Sequence, residues 1–149
     1  MRVVLQLVNG CKVDINGKTV ADIGRGFLLL LGVRNGDTEA DAVKLAKKIS
    51  GLRIFNDEND KMNLSLSDVG GSVIVVSNFT LYADCSHGRR PSFINAARPD
   101  VSEPLYEFFC NEMRKNGVEV QTGEFGADMQ VSLCNDGPVT LVIDSEDLK

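Results

Sequence analysis

Apolar and polar residues recur at periods that predict strands along most of this chain and helices over two segments. Val3 to Val8 and Lys12 to Ile15 are rich in β-branched and aliphatic residues, and Asn16-Gly17 supplies the positive-φ pair that a tight hairpin turn demands. Gly24 and Gly26 then bracket the entry to Phe27-Leu28-Leu29-Leu30-Leu31-Gly32-Val33, a continuous apolar run whose length favours a central strand buried on both faces. Asp37 or Thr38 can cap a helix, Glu39 and Asp41 place negative charge in its first turn, and Ala42, Leu45, Ala46 and Ile49 fall at helical spacing. Lys44, Lys47 and Lys48 take its exposed side.

Arg53-Ile54-Phe55 reads as a short strand, Asn56 to Asp60 as a polar turn, and Met62, Leu64 and Leu66 alternate with polar residues like a half-buried strand. After Gly70-Gly71, Ser72 to Tyr82 predicts an apolar strand that turns polar at its end, a common place for site residues. Asp84 to Pro99 is a long loop with Arg89, Arg90 and two prolines, and loops of that length commonly carry function. A second helix is expected from Asp100, with Glu103 at capping-box spacing, Pro104 in the first turn, and Val101, Leu105, Phe108, Phe109 and Met113 on its apolar face. Gly117 can close it; Val118 to Thr122, Met129 to Cys134 and Val139 to Ile143 then read as strands. Many strands with two helices and no internal repeat or linker predict one α+β domain over residues 1–149.

Composition narrows the classes further. The 149 residues are 43% hydrophobic and 25% charged, ordinary for a globular protein and sufficient for a core without disulfides or a structural metal. The longest apolar run, Gly26 to Val33, is far below the roughly 20 residues of a membrane-spanning helix. Met1 to Leu5 gives way to Gln6 without signal-peptide features, so a cytoplasmic protein is expected. Cys11, Cys85, Cys110 and Cys134 lie far apart, and with the single His87 they form no zinc pattern; reduced, mostly packing cysteines are expected. A net charge of −5 excludes bulk coating of nucleic acid but leaves room for a local basic patch.

Three groups of residues could carry chemistry. Asp136-Gly137-Pro138 reads most simply as a hairpin turn, yet Pro138 deletes a donor and restricts Gly137, and an X-Pro bond is where a cis corner with fixed carbonyls is tolerated. Ser77 and Thr80 flank Phe79 at a strand end, where either hydroxyl could orient a substrate or attack an ester; no base beside them is visible, and strand polarity is the ordinary alternative. Cys85-Ser86-His87 could suggest a thiol hydrolase, but residues two apart seldom align productively. Arg89-Arg90 and the helix lysines could meet phosphates or simply be solvated. Gly24-Arg25-Gly26 lacks the third glycine of a dinucleotide fingerprint, and no nucleotide cofactor or metal is indicated.

Taken together, Ser77-Asn78-Phe79-Thr80-Leu81, Arg90-Pro91-Ser92-Phe93, Ala127-Asp128-Met129-Gln130-Val131-Ser132-Leu133 and Asn135-Asp136-Gly137-Pro138-Val139-Thr140 resemble the D-aminoacyl-tRNA deacylase family. Lys61-Met62-Asn63-Leu64 and Gly70-Gly71-Ser72-Val73 extend the likeness over essentially the whole chain. The resemblance implies an α+β fold in which mostly antiparallel and mixed β-sheets form a barrel-like core with two main helices. It implies hydrolysis of the ester joining a D-amino acid, or glycine, to the terminal adenosine of tRNA, by a cofactor-free homodimer that binds neither membrane nor DNA.

By the same resemblance, Ser77, Asn78 and Thr80 occupy the catalytic strand end, Phe79 borders the adenosine, and Met129 helps line the pocket. Gly137-Pro138 would be a cis element that reaches into the partner's site and excludes an L side chain, so that many D residues are accepted and glycine cannot be refused. Thr80 is expected to position groups while a water, helped by the ribose 2′-hydroxyl, attacks. Two positions depart from the family pattern: Leu7 stands where an arginine is usual, and Asn78 replaces a glutamine one methylene longer. The contacts of those longer side chains are therefore not carried over. The alternative function is a non-catalytic tRNA-end or protein-interaction module on the same scaffold.

Overall fold

The computed structural model describes all residues, 1–149. The chain opens with β1 (Arg2–Ile15), β2 (Lys18–Ile23) and β3 (Gly26–Gly32), and Asn16 and Gly17, both at positive φ, turn β1 into β2 as the pattern requires. The first half of β1 pairs antiparallel with β3, from Arg2 opposite Gly32 to Val8 opposite Gly26; its second half pairs with β2. Along the opposite edge of β1 runs β8 (Gln130–Asp144). β3 continues in parallel to β6 (Ser72–Ser77), and β6 to β7 (Glu119–Thr122). Parallel neighbours need crossovers, and α1 (Glu39–Gly51) and α3 (Pro99–Lys115) lie in them. The sheet curls until the Asp22 amide of β2 donates to Gln121 Oε1 of β7 at 2.8 Å, which gives the barrel-like core.

Alternation explains how β3 can be apolar throughout. Phe27, Leu29 and Leu31 pack on one face with Ala42, Leu45 and Ile49 of α1 and Phe109 and Met113 of α3, while Leu28 joins Ile74, Val76, Val8 and Val13 on the other. A strand with cores on both sides has no polar face to show.

Several elements differ from the expected pattern, and the strands expected at Met129 to Cys134 and Val139 to Ile143 are one, β8. Leu66 does not continue a strand: β5 (Met62–Leu64), paired with β4 (Phe55–Asn56), stops where Ser65 caps a single helical turn, α2 (Leu66–Val69). The Ser65 amide and hydroxyl donate to Asp68 Oδ2 at 2.9 and 3.0 Å, a local cap that outweighs the alternation. β6 ends at Ser77, and Phe79–Tyr82 forms a 3₁₀ turn. The last helix begins at Pro99 with extended Arg98 as its cap, because proline suits the first helical position and disfavours helix in the residue before it; the expected Asp100 to Glu103 capping box is not used. Cys11 and Cys110 are buried packing residues whose thiols burial pushes up to about 11; Cys85 and Cys134 are exposed and free. No helix is long and apolar enough to cross a membrane.

The start of β1 and the adjoining end of β8 are tied to the entry of α1. The buried amino group of Met1 pairs with Asp37 at 2.9 Å and donates to Ser145 Oγ at 2.8 Å, and Ser145 Oγ donates in turn to Asp41 Oδ1 at 2.9 Å. Burial opposes ionisation of Asp41, but the Thr38 amide, the Ser145 hydroxyl and the Met1 ammonium together hold its carboxyl below the usual carboxylate range. A lowered folded-state pKa contributes stability above the unfolded value of about 4 and loses it as pH falls through the folded value. Asp41→Asn is therefore expected to melt a few degrees lower at neutral pH, equivalent to about 1 kcal/mol, with the gap to the parent protein closing in acid; thermal denaturation at pH 7 and pH 3 measures both.

Candidate active site

A cleft of about 870 Å³ opens where the inner face of β3 and β6 meets the start of β8. Leu28, Leu30 and Val76 form its floor, Met129 and Leu133 one wall, and Phe125 and Tyr106 another. Its polar lip is Ser77-Asn78-Phe79-Thr80. The sequence-derived residues Ser77, Asn78, Phe79, Thr80 and Met129 thus converge on one cavity. An apolar cleft with a few grouped polar atoms is the usual form of a small-molecule site.

The lip is held from several directions. The Asn78 amide donates to Leu31 O at 2.8 Å, extending the β3–β6 pairing by one bond before the chain turns. Asn78 Oδ1 accepts from the Thr80 amide at 3.2 Å and from the Thr80 hydroxyl, so Asn78 caps the 3₁₀ turn. Arg2 reaches across from β1: Nη1 donates to Leu81 O at 2.9 Å, Nε and Nη2 hold both oxygens of Asp144, and the guanidinium lies 4.8 Å from the Tyr82 ring centre. Gly32 permits the closeness of this turn to β3, since a Cβ there would sit 3.1 Å from Leu81 Cβ and 3.2 Å from Asn78 O. Phe79, 57% exposed, is met edge-on by Phe93 at 5.1 Å between ring centres.

The chemistry of this lip is constrained by what Thr80 touches. Its hydroxyl proton is directed at a carboxamide, which cannot act as a base, and no ionisable side chain contacts it. His87 Nδ1 engages Ser86 Oγ at 2.8 Å, and its ring forms no pair with Cys85 or Thr80. The Phe79 amide, by contrast, has no acceptor within the chain. No group of three or more His, Cys, Asp or Glu side chains is arranged to hold a metal ion.

Gly137 and Pro138 lie elsewhere. From Gln6 to Val8 β1 advances two residues, while their partners on β8 run five, from Thr140 back to Asn135, so Asp136 to Val139 are extruded from the ladder. The peptide between Gly137 and Pro138 is cis. Asn135 staples the base of this corner, its Nδ2 donating to Leu7 O and Val139 O at 2.9 Å each. Gly137 has φ +121, and a Cβ there would lie 2.8 Å from Val139 Cγ2. The corner lines a separate pocket of about 330 Å³ with Leu7, Arg25, Phe55 and Met62, and takes no part in the main cleft of its own chain.

Arg2 and Asn135 are positioning residues that pattern reading did not single out. Asn135 stood in a turn-like motif, but nothing local signals that Arg2 acts on residues 79 positions away.

The family model described as D-Tyr-tRNA(Tyr) deacylase matches residues 4–144. Proteins named D-aminoacyl-tRNA deacylase from Bacillus cytotoxicus and Thermus aquaticus are each 56% identical, covering 98% and 99% of this chain and 100% and 97% of theirs. Among solved structures, one described as c-Myc DNA Unwinding Element Binding Protein superposes with a TM-score of 0.90 at 35% identity, covering 97% of this chain and 98% of its own. Another, described as a probable eukaryotic D-amino acid tRNA deacylase, superposes with a TM-score of 0.80 at 21% identity, over 96% and 98% of the two chains, and shares the fold. The chain belongs to the D-aminoacyl-tRNA deacylase family and is a hydrolase.

The geometry of the lip makes Arg2 testable apart from any assay of turnover. Arg2→Ala strands the Leu81 carbonyl and Asp144 and is expected to cost about 1 kcal/mol. Amide exchange should accelerate at Leu81 to Ala83 and stay near parental rates in the middle of α3; equal acceleration in both places would contradict a local anchoring role.

Proposed function

We propose that this hydrolase cleaves the ester of D-aminoacyl-tRNA, with the Ser77 to Thr80 lip holding the reacting carbonyl and the terminal adenosine lying against Phe79. A water attacks the carbonyl carbon, the bond to the ribose oxygen breaks, and the free amino acid leaves with the tRNA 3′ hydroxyl restored. The Phe79 amide donates to the oxyanion, and the ribose 2′-hydroxyl helps orient the water. The observation that carries the choice of water is the pairing of the Thr80 hydroxyl with Asn78, which gives Thr80 no base to take its proton. Ser77 and Asn78 shape the lip, and Met129 closes the side-chain end of the cleft.

Handedness is selected by the Gly137-Pro138 corner of a second copy of the chain, whose fixed backbone oxygens hold the substrate amino group and leave no room for an L side chain. Two features favour this arrangement. The corner is extruded and stapled, yet remote from its own cleft. β8 pairs only with β1, leaving a long free edge with Leu133 and Val142 exposed, 36% and 65%, the kind of strand that a partner covers. A backbone wall has no means of refusing glycine, so glycyl-tRNA is also a substrate. We place the homodimer in the cytoplasm with its tRNA substrate; its four cysteines are unlinked. A membrane or duplex DNA is not a partner in this reading.

The discriminating assay is release of tyrosine from D-Tyr-tRNA and L-Tyr-tRNA: acceleration only of the D ester is expected, and no acceleration of either favours the non-catalytic module. Thr80→Ala should retain activity within about tenfold, whereas a nucleophile would lose several orders of magnitude. Asn135→Ala unfastens the corner and should lower the D-over-L preference by about tenfold, read from the same two esters. A strictly monomeric mass in solution would remove the proposed source of the corner.

A further inference from the structure

The cleft accounts for the aminoacyl-adenosine at the end of the substrate and leaves the preceding nucleotides without a described contact. A chain of net charge −5 has to grip their phosphates locally. Most of its arginines are already occupied. Arg2 holds Asp144, Arg34 holds Glu146, Arg53 binds Asn63, Arg114 binds Asn111, Arg98 faces Asp100, and Arg25 lies over the Phe55 ring. Arg89 and Arg90 are exposed, adjacent and without any acceptor in the chain.

Their loop is fastened to the rim of the cleft. Asp84 and Ser92 close it with two backbone hydrogen bonds of 2.7 and 2.9 Å. One foot leaves the Phe79–Tyr82 turn, and the other enters Phe93, which lines the cleft and packs on Phe79. Beyond Phe93, Asn35 Nδ2 donates to Ile94 O at 2.8 Å and the Asn35 amide to Asn95 O at 3.1 Å, so this side is braced by the start of the α1 connection. The carboxylate in the loop, Asp84, accepts from the Ser86 amide at 2.9 Å and so has its own partner. Ile94, 78% exposed and following Phe93 in the chain, adds an apolar side chain at this foot of the loop. A cationic pair beside an aromatic and aliphatic surface is the combination that holds single-stranded nucleic acid without reading its sequence.

We propose that Arg89 and Arg90 grip the phosphodiesters of the unpaired nucleotides preceding the terminal adenosine, with Phe93 and Ile94 seating an adjoining base. The inference rests on the reading of the cleft as the site of the aminoacyl ester. Its test compares D-Tyr-tRNA with D-tyrosyl-adenosine, which carries the ester and no phosphodiester, in the parent protein, an R89A/R90A variant and an R89K/R90K variant. On tRNA, the fall of log kcat/KM with log salt should become shallower by about 1.4 in R89A/R90A, at about 0.7 for each single-strand phosphate contact. Between about 50 and 200 mM salt the parent then loses about sevenfold more activity than the variant.

The lysine variant should keep most of the slope, and R89A/R90A should match the parent on D-tyrosyl-adenosine. An unchanged slope on tRNA overturns the proposal, as does an equal loss on both substrates, which would assign the arginines to the cleft itself. Binding of uncharged tRNA gives the same slope without turnover, so failure of the phosphate grip and failure of the deacylase reading are separately visible.

Discussion

β1 is the ruler against which the rest of the molecule is placed. It is hydrogen-bonded along one edge to β3 and β2 and along the other to β8, so the cleft floor, the cleft wall and the extruded corner are all registered to one strand. Its interior residues Val3, Leu5, Val8 and Val13 are fully buried, and the two hydrophobic cores meet on opposite faces of the sheet it anchors. Its first residues also reach outward: Arg2 fixes the lip through Leu81, and the Met1 amino group fixes the start of α1 through Asp37. A slip of one residue along this strand would invert every buried side chain and move the lip and the corner together.

The lip is a scaffold for backbone and amide groups more than for acids and bases. Asn78 uses one oxygen to cap the turn and to engage Thr80, Gly32 lets the turn lie close to β3, and the Phe79 amide is left free at the mouth. The Asn78 carboxamide oxygen reaches the Thr80 amide, two residues on, at 3.2 Å and so closes the turn on itself. The base of the corner is held by Asn135 donating to the Leu7 carbonyl, and the buried Leu7 side chain lines the pocket beside Gly137 and Pro138. Hydrogen-bonded support at the lip and at the corner thus comes from backbone groups and short amides.

Much of the fold was legible from periodicity. The leucine-rich run is the central β3, the Ala42-Leu45-Ala46-Ile49 face is the buried side of α1, and Leu105, Phe109 and Met113 bury α3 as their spacing implied. The misses arose where a local contact competed with the pattern. Ser65 and Asp68 turned an alternating segment into a helical turn, and Pro99 moved the start of α3 ahead of the apparent capping pair. Ser77, Asn78, Phe79, Thr80 and Met129 were recognisable by their motifs and do share one cleft, whereas Arg2 and Asn135 act through partners distant in the chain.

Hydrophobic alternation, turn residues and short motifs suffice to determine that this chain makes a mixed sheet with two covering helices and that its candidate site residues gather at the end of β6, because each is a property of neighbouring residues. Register between strands far apart in sequence is not such a property. Only tertiary pairing of β1 with β8 decided that Asp136 to Val139 leave the ladder, that Asn135 fastens them, and that Gly137 and Pro138 stand apart from the cleft of their own chain, since the position of a bulge depends on how two complete strands align.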